Sequence, residues 1–194
     1  MTRKRQVLKG FTLAELLIAL AILGVIATFT IPKMIASQQN SQYNAIAKEA
    51  AAAIADAYQQ YKLKNGISAS TNPNNIIPYL NYAYVDTTST IDYEYNGPTV
   101  TCSALQQCVK LHNGAIILYN TNSFAGTATT NAIFFYVDPD GKTDGTTNGP
   151  GKSVLFWLYT NGRITNWGNA EPNTITQMGT YGPAPSTDPP WFQW

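Results

Sequence analysis

Hydrophobic positions follow three different patterns along this chain, and each predicts a different element. In the first, from Leu16 to Ala27, every residue is apolar or glycine. Gly24 is its one weak helix former, and Phe29 and Ile31 carry the character on to Pro32. The segment 11–32 is long enough to cross a bilayer as a helix, at roughly 20 residues per crossing. The second pattern runs from Lys33 to Lys64. There Ile46, Ala50, Ala53, Ile54, Ala57, Tyr58 and Tyr61 recur at steps of three and four, which marks an amphipathic helix. The alanine run at 50–53 has high helix propensity, and Asn65-Gly66 supplies a stop. One helix over 11–64 would be roughly 81 Å long, its first half bare and its second packed under a head. Pro32 lies inside the pattern and is expected to kink or locally melt it.

The third pattern begins after Gly66, where short alternating runs are separated by turn residues. Val109–His112 and Ala115–Tyr119 flank Asn113-Gly114, predicting a hairpin closed by a two-residue turn. Val154–Tyr159 and Arg163–Trp167 flank Asn161-Gly162 in the same way. Ile133–Val137 is a further strand, rich in β-branched and aromatic residues. The expected architecture is α+β: a long N-terminal helix packed on an antiparallel sheet. The head covers 65–194. Its segment 65–100, with Pro73, Pro78 and Pro98, reads as the helix-to-sheet connection. Residues 168–194 are rich in Gly and Pro and end in Trp191-Phe192-Gln193-Trp194. That tail either wraps the head or presents aromatics to a partner.

Composition narrows the chemistry. The 194 residues carry a formal net charge of +1, and only 12% are charged. That balance argues against binding a nucleic acid through bulk charge. The charges are unevenly placed, however. Four of the twelve basic residues, Arg3, Lys4, Arg5 and Lys9, stand in the first ten positions, with no acid among them. Without those ten, eight basic side chains would face eleven acidic ones. The single histidine, His112, cannot supply a multi-histidine metal site and reads as a strand-end residue. No phosphate-binding glycine loop is present, so the chain is not read as an enzyme.

Positive charge just before the apolar run predicts a cytoplasmic N-terminus, with the head outside. A cleaved secretory signal is disfavoured. Ala27-Thr28-Phe29 is a poor cleavage site, and Glu15 sits inside the apolar run. There an acid costs about 2.5–3.5 kcal/mol on insertion scales, and by default it marks a functional site. The plain alternative for Glu15 is an acid snorkelling at the membrane edge.

Lys9-Gly10-Phe11-Thr12-Leu13-Ala14-Glu15, followed by an apolar run and then Pro32, resembles the N-terminal signature of type IV pilins and type II secretion pseudopilins. The resemblance covers about the first 50 residues. It implies that residues 1–10 are a leader, that a prepilin peptidase cuts between Gly10 and Phe11, and that Phe11 is then N-methylated. It implies a chain stored in the bacterial inner membrane and later polymerised, with pilin-like subunits and an inner-membrane assembly machinery as partners. Glu15 would pair with the Phe11 amine of a neighbouring subunit and set the axial register. Gly24 and Pro32 occupy places where many pilins carry helix-weakening residues. Pilus and pseudopilus are not distinguished. The competing class is an uncleaved, membrane-anchored module that binds a glycan or other ligand through Tyr and Trp faces.

Two further features belong to the head. Cys102 and Cys108 enclose five residues. Outside the cytoplasm such a pair reads as a small disulfide loop, the alternative being two unpaired thiols. Asp138, Asp140 and Asp144 fall within seven residues around Gly141. They offer oxygen ligands to Ca²⁺, a feature that some pseudopilins carry in a head loop. The competing reading is a solvated β-turn built on Asp and Gly.

Overall fold

The computed structural model describes residues 11–92, 99–103, 107–119, 123–124, 132–143, 152–166 and 189–193. The leader 1–10, Asp144, Trp167 and Trp194 lie outside the described residues. The chain forms two compact units, Met1–Asn40 and Ser41–Trp194.

One helix, α1 (Leu13–Asn65), supplies the first unit and the opening of the second. It continues through Pro32 as helix. In the turns before Pro32 the hydroxyls of Thr28 and Thr30 donate to the carbonyls of Val25 and Ile26. That back-bonding keeps both hydroxyls satisfied on an apolar helix. The helix ends as the sequence predicts: Gly66 N–H donates to Lys62 O at 3.0 Å, a left-handed glycine cap.

In the second unit, a short helix α2 (Pro73–Ile76) and a single 3₁₀ turn (Ile77–Tyr79) follow α1. Among the described residues eight strands come next: β1 (Tyr84–Asp86), β2 (Thr90–Asp92), β3 (Thr99–Thr101), β4 (Gln107–Lys110), β5 (Ile116–Tyr119), β6 (Ala132–Asp138), β7 (Val154–Tyr159) and β8 (Ile164–Asn166). Six of them form one antiparallel sheet in the order β1-β4-β5-β6-β7-β8, while β2 and β3 form a separate ribbon. The α+β expectation therefore holds. Segment 65–100 is more than a connection, since it supplies an edge strand and most of the ribbon.

Both Asn-Gly hairpins form around three-residue loops, one residue longer than predicted at Asn113-Gly114. Leu111 N–H donates to Ala115 O and Gly114 N–H to Leu111 O. Tyr159 N–H donates to Arg163 O and Gly162 N–H to Tyr159 O. Each loop ends on a left-handed glycine, at φ 94° for Gly114 and 88° for Gly162, which restores the strand twist after three loop residues. The asparagine before each glycine accepts from the backbone two residues on, Asn113 from Ala115 and Asn161 from Arg163. His112 therefore sits exposed in a turn rather than at a strand end.

The sheet is covered on both faces. On one face Ile133, Phe135, Val137, Phe156 and Leu158 pack with Ala47, Ala50, Ile54 and Tyr58 of α1. The small alanines admit close approach of helix and sheet, and Tyr58 hydroxyl donates to Thr160 O across it. On the other face Ile116, Leu118, Tyr136, Leu155 and Trp157 form a second core with Ile91, Val100 and Cys102 of the ribbon segment.

Candidate processing and assembly site

Phe11 and Thr12 precede α1 and Glu15 lies in its first turn. Thr12 N–H and Oγ1 both donate to Glu15 Oε2, at 2.7 and 2.9 Å, and Glu15 N–H donates back to Thr12 Oγ1 at 3.2 Å. This reciprocal closure is a capping box, which satisfies two of the donors a helix start leaves open. It was readable as Thr12-x-x-Glu15 but is absent from the expectations above. The predicted cut thus falls just ahead of a fixed helix start, with Phe11 82% exposed beside it. Gly10 itself lies outside the described residues.

From Leu13 to Ile35 the helix exposes large side chains almost without pause, including Leu16, Leu20, Leu23, Ile26, Phe29 and Ile31. It is long and apolar enough to cross a membrane. Gly24 has open space around it, with nothing within 4 Å of where a Cβ would stand. An apolar surface of this extent marks contact with lipid or protein, at about 1.5–3 kcal/mol for each large side chain taken from water.

Residues 8–31 match the family model for the prokaryotic N-terminal methylation motif. The chain carries the prepilin-type signature. Beyond this motif, no curated protein and no solved structure matches the chain. The methylation motif covers Gly10, Phe11, the Thr12–Glu15 box and the apolar run as far as Ile31. It fits a single-pass anchor in a prokaryotic inner membrane.

Cys102 and Cys108 are joined as a disulfide, with Cα atoms 5.5 Å apart. The bond ties the end of β3 to β4, so it fastens the ribbon to the main sheet. Both sulfurs are buried in the second core.

At the predicted calcium loop, Asp138 is fully buried and its Oδ1 accepts from the backbone N–H of Asp140 and Gly141. Asp140 Oδ1 accepts from Lys142 N–H, and its Oδ2 meets Lys152 Nζ at 3.0 Å. Among the described residues no group of three or more His, Cys, Asp or Glu is arranged to hold a metal ion. Asp144 lies outside those residues. An ion here would compete with Lys152 for Asp140.

Asp86 builds a similar turn, its Oδ1 accepting from Thr88 and Ser89 N–H. The two aspartates differ in electrostatics. Burial, then the Asp140 charge beside it, pushes the Asp138 carboxyl well above the ordinary carboxylate range. Burial also raises Asp86, but the Ser89 and Thr88 amides, the Ser89 hydroxyl and the Lys110 charge outweigh it and hold that carboxyl below the ordinary range.

Proposed function

We propose that this protein is a pilin-like structural subunit, cut by a prepilin peptidase between Gly10 and Phe11, methylated on Phe11 and polymerised through α1 into a type IV pilus-like or pseudopilus-like filament. The observation that carries this reading is the methylation motif at residues 8–31 set on a bare apolar helix with Glu15 in its first turn. Before assembly the helix is held in the inner membrane, the basic leader inside and the head outside. Lipid tails are as apolar as leucine, so moving the helix from bilayer to filament core brings little hydrophobic gain. Position must then be set by shape and by the one group that pays to be there, Glu15. A buried carboxylate needs a partner, and the new amine of Phe11 on a neighbouring subunit provides one.

The test is the intact mass and N-terminal sequence of the protein from its native membrane or sheared-surface fraction. Loss of residues 1–10 with one methyl group on Phe11 supports the proposal. A chain still beginning at Met1, in cells whose prepilin peptidase is active, overturns it and leaves a tethered binding module.

A further inference from the structure

Residues 189–193 cross the start of the helical part of the second unit. Phe192 is buried and meets Phe156 of β7 edge-on, with ring centroids 5.5 Å apart. Trp191 meets Tyr43 of α1 edge-on at 5.8 Å, and Gln193 N–H donates to Asn44 Oδ1 at 3.4 Å. Of the two tail readings, wrapping the head is the one these residues adopt. The Gln193–Asn44 bond lies at the long end of the hydrogen-bond range. Among the described residues the indole nitrogen of Trp191 is buried without a hydrogen-bond partner, so the ring is seated by its edge-on contacts with Tyr43 and Phe192.

Lys152 sits against that ring. Its Nζ lies 4.8 Å from the Tyr43 centroid, within the range of a cation–π contact. The same Nζ is 3.0 Å from Asp140 Oδ2, and both side chains are largely shielded from water. One ammonium therefore joins the turn after β6 to the ring on which the tail rests.

We infer that these residues form a latch: Asp140 holds Lys152, Lys152 holds the face of Tyr43, and Tyr43 seats Trp191, so that the Asp138–Gly141 turn controls how firmly the 189–193 strap grips α1. Whatever draws Asp140 away from Lys152 removes the carboxylate that holds the ammonium against the Tyr43 ring, and the strap loosens. The strap contacts α1 at Tyr43 and Asn44, just inside the second compact unit. The latch is independent of whether the chain assembles into a filament.

The experiment is hydrogen exchange on the full chain in detergent micelles, comparing wild type with Asp140→Asn, Lys152→Met and Lys152→Arg. The readouts are the Phe192 and Gln193 amides, with the β6 and β7 amides as a control for the fold. Asp140→Asn and Lys152→Met are expected to speed exchange in the strap at least tenfold while the sheet amides keep wild-type rates. Lys152→Arg, which keeps both the charge and the ring contact, is expected to preserve protection. Unchanged strap exchange in a folded Asp140→Asn or Lys152→Met chain overturns the latch. Loss of sheet protection in both variants also overturns it, because the ion pair would then support the sheet rather than the strap.

Discussion

The two halves of α1 differ in composition and meet opposite fates. From Leu13 to Ile35 the side chains are mostly Leu, Ile, Val and Phe, and none is buried. From Ala47 to Tyr58 four of the six buried residues are alanine, and only Ile54 and Tyr58 are bulky. A helix that packs on a sheet needs small residues where the backbones approach and a few large ones to fill the gaps. A helix meant for lipid or for other helices can be large on every side. Among the described residues the first half is left exposed, while the second is shaped for the sheet it packs on.

The sharpest way to break this comparison is to disable one half without touching the other. Gly10→Val should abolish the shortening of the chain, read as an intact mass that still includes residues 1–10. The disulfide and the fold of the second unit should be unchanged. Glu15→Leu should leave the cut in place and stop assembly, since losing one partner of a buried pair costs about 3–5 kcal/mol. Filaments recovered at wild-type yield from Glu15→Leu would sink the register argument.

The reciprocal change strikes the sheet. Phe135 and Phe156 are both fully buried on the α1 side. Phe135→Ala should cost about 3–5 kcal/mol of stability while the mass still shows removal of residues 1–10. Denaturant unfolding of the full chain measures the first, and mass spectrometry the second. A smaller effect is expected at the ribbon. Replacing Cys102 and Cys108 together by Ser should cost about 2 kcal/mol, because the closed loop is short. The loss should appear first as faster exchange at Ile91 and Val100, with the α1 side of the sheet protected.

Much of this was legible in the sequence, for reasons that are local. The apolar run, the three-and-four spacing, the Asn65-Gly66 stop and the two Asn-Gly turns each state their geometry within a few residues. The ribbon and β1 were not legible. At three residues each they are too short for alternation to show, and their place is fixed by contacts distant in sequence. One trace of the second covered face was present all the same. Val154–Tyr159 is apolar without interruption, as a strand buried on both faces should be. At the N-terminus the motif was plain, and the Thr12-x-x-Glu15 spacing already carried the mutual capping seen in the fold. The meeting of Lys152, Asp140 and Tyr43 joins three distant stretches of chain, and no spacing rule predicts it.

The last and mildest test sets two of the buried aspartates, Asp86 and Asp138, against each other. Asp86 is held below the ordinary carboxylate range, so the fold favours its charged form. Its stabilisation is fully present above the unfolded-state value, about 3.9 for Asp, and is lost as pH falls through the folded one. Asp138 has the opposite sign. The fold favours its neutral form, because the carboxyl is buried and faces the charge of Asp140. Its contribution is greatest below the unfolded-state value and fades as pH rises from there through the raised folded value. Stability measured against pH should therefore respond oppositely to the two amide substitutions. Asp138→Asn should remove a decline seen as pH rises above the ordinary carboxylate range. Asp86→Asn should remove a decline seen as pH falls below it. If Asp138→Asn leaves the rising-pH limb unchanged, the charge on Asp138 is already balanced in the fold, and Lys152 must be shared between both carboxylates rather than committed to Asp140.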